Sequence, residues 1–203
     1  MTKFLSKLLF LTLLGTGAAW AAPTAQLDRG ATRVALEMSF LEALSANGID
    51  VATIDRGALN TRTLTLRFPV RGGAVDAGTV EGDIFHVGGL SLSRDDSEVS
   101  LLNFTIETYN TPDILTSTER SPQLTGVVVL NGDTLGRFPL FDLDLSNAAV
   151  VIGDDGSLKV RNVGVTISAA ASLAIDTVFG TGDITGLDVG VARVSTMIMG
   201  LIE

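Results

Sequence analysis

The feature that most constrains this chain is a two-residue alternation of apolar and polar side chains that keeps returning along it. Residues 63–70 (TLTLRFPV) set Leu64, Leu66 and Phe68 on one face and Thr63, Thr65 and Arg67 on the other. That is the period of a strand with one face buried. Arg71-Gly72-Gly73 breaks the run, and further strands are predicted over 79–87, 89–94 and 98–108. Asn131-Gly132, between alternating runs at 124–130 and 134–140, is the strongest short hairpin signal a sequence can carry. Residues 141–146 (FDLDLS) alternate again, and Asp154-Asp155-Gly156 turns the chain into 157–163. The pattern predicts roughly nine to eleven strands.

Two segments leave this period. Residues 39–46 (SFLEALSA) read as a helix, with Ser39 as N-cap, Glu42 as its capping-box partner and Gly48 closing it. Residues 168–179 (SAAASLAIDTVF) are alanine-rich, which favours helix, and stop at Gly180; Leu173, Ile175 and Phe179 are the side chains to pin them to a core. Each helix follows a strand-like stretch, at 32–36 and 163–167. The expected fold is mostly β, an antiparallel β-sandwich or squat barrel with two short peripheral helices.

The first 21 residues stand apart. Lys3 and Lys7 precede an apolar run over 8–19, and Ala19-Trp20-Ala21 supplies the small residues a signal peptidase accepts. A signal peptide over 1–21 is therefore expected, cut between Ala21 and Ala22, with a single domain over 22–203. The run is about a dozen residues, against roughly 20 for a membrane span. Arg193 interrupts the apolar C-terminal stretch, so no transmembrane segment is expected in the mature form. The expected destination is the periplasm or the medium. Trp20, the one tryptophan, would leave with the signal, and Tyr109 is the one tyrosine.

Composition limits the chemistry. Fourteen Lys and Arg against 23 Asp and Glu give a formal charge of −9, and losing Lys3 and Lys7 makes the remainder more acidic. That balance argues against nucleic acid and anionic membranes as partners. With no cysteine there are neither disulfides nor thiolate chemistry. One histidine, His86, excludes histidine-rich zinc sites and HExxH metalloproteases. No GxSxG elbow occurs, and the glycines at 180, 182, 186 and 190 follow a helix instead of opening one, so they form no phosphate loop. Asp142 and Asp144 share a strand face and Asp154-Asp155 occupy a glycine turn, without a calcium-loop pattern. No catalytic or metal-binding residue is assigned, and the chain reads as a non-enzyme.

His86 stands in GDIFHVGGLSL (82–92). Alternation puts it on a face with Ile84 and Gly88, opposite Phe85 and Val87, and Gly88-Gly89 is expected to leave space beside it for a flat ligand. The alternative is a histidine hydrogen-bonded at a strand end.

The order of these motifs resembles the HtaA-type domain of exported bacterial haem-uptake proteins. The corresponding pieces are Ser39-Phe40 with residues 41–44, Phe68-Pro69 with Gly72-Gly73, and the run from Phe85 to Leu90. Residues 127–145 and 166–179 complete the series. The resemblance implies a β-rich domain in which haem-binding members ligate iron through a tyrosine of the first helix, supported by a histidine. The histidine falls on His86, whereas the tyrosine's place falls on Ala43. Haem iron takes chiefly His, Cys, Met or Tyr, which leaves His86, Tyr109, Met38, Met197 and Met199 as candidates. The ligand-contact set expected is His86, Phe85, Gly88, Gly89, Phe40 and Tyr109.

Three functions follow. The first is a non-catalytic binding or interaction module of HtaA-like architecture, with a small hydrophobic ligand or haem as partner. The second is a haem-binding protein using His86. The third is a cell-surface structural or adhesion protein, which would display an exposed apolar patch. Oligomeric state is not legible from the sequence.

Overall fold

The alternating runs become the staves of a closed barrel. The computed structural model describes residues 24–109 and 121–200, together with the backbone of 112–113, 118–119 and 201–202. The expected signal peptide and its cleavage point lie outside the described residues. In chain order the elements are β1 (Thr24–Leu36), α1 (Met38–Ala46), β2 (Asp50–Ile54), β3 (Ala58–Asn60), β4 (Thr65–Asp76), β5 (Gly82–His86), β6 (Gly89–Arg94) and β7 (Ser97–Glu107). They continue with β8 (Pro112–Asp113), β9 (Thr118–Glu119), β10 (Gln123–Leu130), β11 (Asp133–Asp144), β12 (Ala149–Ile152), β13 (Ser157–Ile167), α2 (Ala169–Phe179) and β14 (Asp188–Ile202).

Eight strands pair antiparallel in the order β10, β11, β13, β14, β1, β4, β5, β7, and β7 pairs back onto β10. The sheet therefore has no free edge around the ring. Strands β6 and β2 extend from β7, β3 lies on β4, and β12 lies on β13. The interior follows the alternation: Leu66, Phe68 and Val70 of β4 are buried while Arg67 between them is exposed. Asn131 and Gly132 take φ of 49° and 91°, the two left-handed residues of a type I′ hairpin.

Several boundaries differ from the expectation. Residues 141–144 continue β11 instead of forming a separate strand. β14, the longest strand at 15 residues, is additional to the strands expected from the alternation; it lies between β1 and β13 and completes the ring. Ser39 is not the N-cap of α1. That place falls to Glu37, with no side-chain cap bond, because the Glu37 N–H donates to Val189 O (2.9 Å) and the chain turns there. In α2 the expectation holds: Ser168 Oγ accepts from Ala171 N, and Gly180 closes the helix at φ 63°. Phe179 is buried, but Leu173 is 69% exposed and anchors nothing.

Candidate functional site

The barrel does not fill its own interior. A cavity of about 250 Å³ runs through the lumen, walled mainly by aliphatic and phenylalanine side chains. Its lining reaches exposed residues at Thr79, in the β4–β5 turn, and at Val150 on β12, and there the lumen meets solvent. A smaller cavity of about 70 Å³ lies toward the two helices. Phe40, Leu66, Leu90 and Phe141 line both and so form the wall between them.

Among the described residues His86 is the one titratable group in the lumen lining. Alternation on β5 turns it inward with Ile84, which is also buried. Its Nδ1 lies 3.3 Å from Phe104 O and its Nε2 lies 2.7 Å from Thr32 Oγ1. A carbonyl can only accept, so Nδ1 carries the proton and Nε2 accepts from the Thr32 hydroxyl. Burial lowers the imidazole pKa to about 4, against a smaller upward pull from the carbonyls of Phe104 and Ile84. At neutral pH the ring is therefore uncharged. Phe104 also packs edge-on against Phe68, with ring centroids 4.9 Å apart.

The expected contact set divides. Phe40 and His86 line the lumen. Phe85 faces outward, 36% exposed, beneath the Arg71 guanidinium at 5.7 Å, as its place opposite His86 requires. Tyr109 is outside the lining, and its hydroxyl donates to Asp83 Oδ2 at 3.3 Å. The space expected beside Gly88-Gly89 is absent. A Cβ on Gly88 (φ 89°) would meet Gly57 N at 2.5 Å, and one on Gly89 would meet Leu101 O. These glycines let two backbones touch; they do not open a slot. Ala43, where the tyrosine of haem-binding members would fall, does not line the cavity, nor do Met38, Met197 or Met199.

Thr32 was missed by sequence reasoning. Its signal was a buried-face position on β1, shared with Val34, that holds a hydroxyl. Asp144 has its carboxyl pKa lowered by the Ser146 hydroxyl and then its backbone N–H, and Asp155 by the Ser157 hydroxyl and then its backbone N–H. They shape turns at the barrel's ends.

No family model matches this sequence, and no curated protein matches it. Solved structures do match in fold. The C-terminal domain of HtaA from Corynebacterium glutamicum superposes with a TM-score of 0.60 at 14% identity, covering 86% of this chain and 99% of that domain. The N-terminal domain of the same protein gives 0.59 at 16% identity, covering 86% and 99%. The heme binding protein HtaB of that organism gives 0.50 at 14% identity, covering 89% and 98%. The chain thus resembles the HtaA-type domains, distantly in sequence and throughout most of its length in fold.

Proposed function

We propose that this chain is an exported, non-catalytic binding module that holds a small, mainly apolar ligand in the barrel lumen, with His86 as its polar contact. The lumen carries the reading. Protein interiors leave few voids larger than a water molecule, and an apolar cavity of this size forgoes the dispersion energy of the contacts its lining lacks. A ligand that fills it recovers that energy. The Thr32 hydroxyl can rotate off Nε2, freeing an acceptor for one donor on the ligand. Export rests on residues 1–21. N-terminal sequencing of the exported protein should begin at Ala22, and its emission should come from Tyr109; tryptophan emission would show that the cut is elsewhere.

Haem is the second reading, supported by the fold shared with a solved heme binding protein. The lumen as it stands does not fit a porphyrin. Its volume is about 250 Å³, below the several hundred Å³ usual for such pockets. Among the described residues no tyrosine or methionine joins His86 in the lining. An adhesion role has one observation behind it, the exposed Val150, Val151 and Ile152 of β12. Val150 belongs to the lumen's lining, and we assign the patch to the mouth.

The test is a pair of titrations of the purified mature protein, each repeated on His86→Ala. N-phenyl-1-naphthylamine, a neutral fluorophore with one N–H donor, should show saturable enhancement that weakens in the variant. Haemin should give no saturable Soret shift. A shift that the variant loses would establish haem instead, and uptake of neither probe would remove the lumen from consideration.

A further inference from the structure

The outer wall of the barrel carries a feature unrelated to the lumen. In a chain of net charge −9, five basic residues (Arg33, Arg67, Arg161, Arg193 and Lys159) line one open groove of about 1050 Å³ that includes no Asp or Glu among the described residues. Strand register brings the arginines together. Arg33 of β1 is directly opposite Arg193 of β14 and directly opposite Arg67 of β4. Arg161 stands in the β13 bulge, between the pairs Val160–Val194 and Val163–Ala192, and so lies at the level of Arg193. Four neighbouring strands thus present one arginine each in a row, and at roughly 4.8 Å per strand the row spans about 14 Å.

Like charges directly opposite one another on a sheet destabilise it, and no salt bridge among the described residues relieves these. All four arginines are exposed. Among the described residues the salt bridges are Arg29–Asp28 and Arg94–Asp95, neither of them in the groove. Lys159 lies near the carboxylate of Asp155. A row of uncompensated guanidinium groups calls for an external anion with several charges in line. The guanidinium fork matches phosphate oxygens two at a time. On one side of the groove Thr61, Thr63 and Thr65, with Asn60, add uncharged hydrogen-bonding groups.

Among the described residues the groove contains no aromatic side chain, so they offer none of the stacking platforms with which single-stranded nucleic acid is held. The 58–65 segment lines it beside the barrel wall, which suits a thread laid along a channel better than a flat bilayer. We propose that this wall binds a linear phosphate polymer, an unbranched chain of repeated phosphates without bases, along the row Arg67–Arg33–Arg193–Arg161. The site is separate from the lumen and stands or falls independently of what fills it.

The test uses the purified protein and long-chain inorganic polyphosphate as probe, with tripolyphosphate and orthophosphate at equal phosphate concentration. Long-chain polyphosphate should bind, with a log–log salt slope of about −3 if its counterions behave as on single strands; orthophosphate should not. Arg33→Gln with Arg193→Gln, at exposed mid-row positions, should weaken binding at least tenfold and roughly halve the slope. Arg29→Gln with Arg71→Gln, outside the groove, should leave both unchanged. Equal weakening by both double variants would overturn the proposal, leaving only general attraction. Absence of polyphosphate binding would also overturn it. Low-salt oligomers lost in the row variant would then assign the row to a second, acidic copy of the chain, and binding to phosphatidylglycerol vesicles would assign it to a membrane.

Discussion

At the residue scale, the chemistry concentrates in one buried imidazole. His86 is 2% exposed, and burial holds its pKa near 4 in the folded protein against about 6.5 in an unfolded chain. The unfolded state therefore binds the extra proton first as the pH falls. Stability is complete above about pH 6.5 and declines as the pH drops toward 4, where the folded form also protonates. By pH 4.5 the loss should reach roughly 2–3 kcal/mol, read as a falling midpoint in urea. His86→Gln should flatten that window while lowering stability at pH 7. Asp76, Asp144, Asp155 and Asp183 also have lowered pKa values, held by hydrogen bonds from neighbouring backbone N–H groups and hydroxyls. Their contributions are present above the ordinary carboxylate range and are lost as the pH falls through and below it, from about pH 5, so the histidine's window is read clear of them above that pH. A wild-type protein equally stable at pH 7 and pH 4.5 would place His86 in contact with water.

At the element scale, local signals succeeded where the local chain alone sets the geometry. Ser168 caps α2 because a hydroxyl beside three orphan N–H groups is a better partner than water, and it also donates to Pro139 O at 2.9 Å. Ser168→Ala should cost about 1 kcal/mol, measured by chemical denaturation, with the deficit spread through β11 as well as the helix. Ser39 shows the opposite case. It has the same kind of side chain and a suitable Glu42, but β1 runs on to Leu36 and is bonded there to Leu64 O. Pairing with another strand moved the helix start, and no local rule foresees that. For the same reason 141–144 stayed within β11: its partner on β13, paired from Phe141 to Asp144, continues the ladder.

At the scale of the whole molecule, ring closure creates both the lumen and the arginine row. Ala192 lies on the lumen wall, 4% exposed, on β14. Ala192→Phe should project a ring into the cavity and abolish fluorophore uptake. Overpacking usually costs about 1–3 kcal/mol; with empty volume to accept the ring, the cost should fall at the low end, checked by the thermal midpoint. Loss of uptake with a folded barrel would place the ligand in the lumen. Unchanged uptake would move it elsewhere.

The sequence by itself determined the class of the fold, the turn at Asn131-Gly132, the cap at Ser168 and the prominence of His86. Each is a short-range property: a period of two, a left-handed pair, a hydroxyl beside free N–H groups, a residue type present once. Only tertiary structure decided which side of the sheet became a lumen, that Gly88-Gly89 would press against Gly57 and Leu101, and that Thr32 would reach His86 across β4. It also decided that Arg33, Arg67, Arg161 and Arg193, scattered along an acidic chain, would fall into one line. Register between strands distant in sequence is set by how the ring closes around its core, and neither net charge nor local pattern records it.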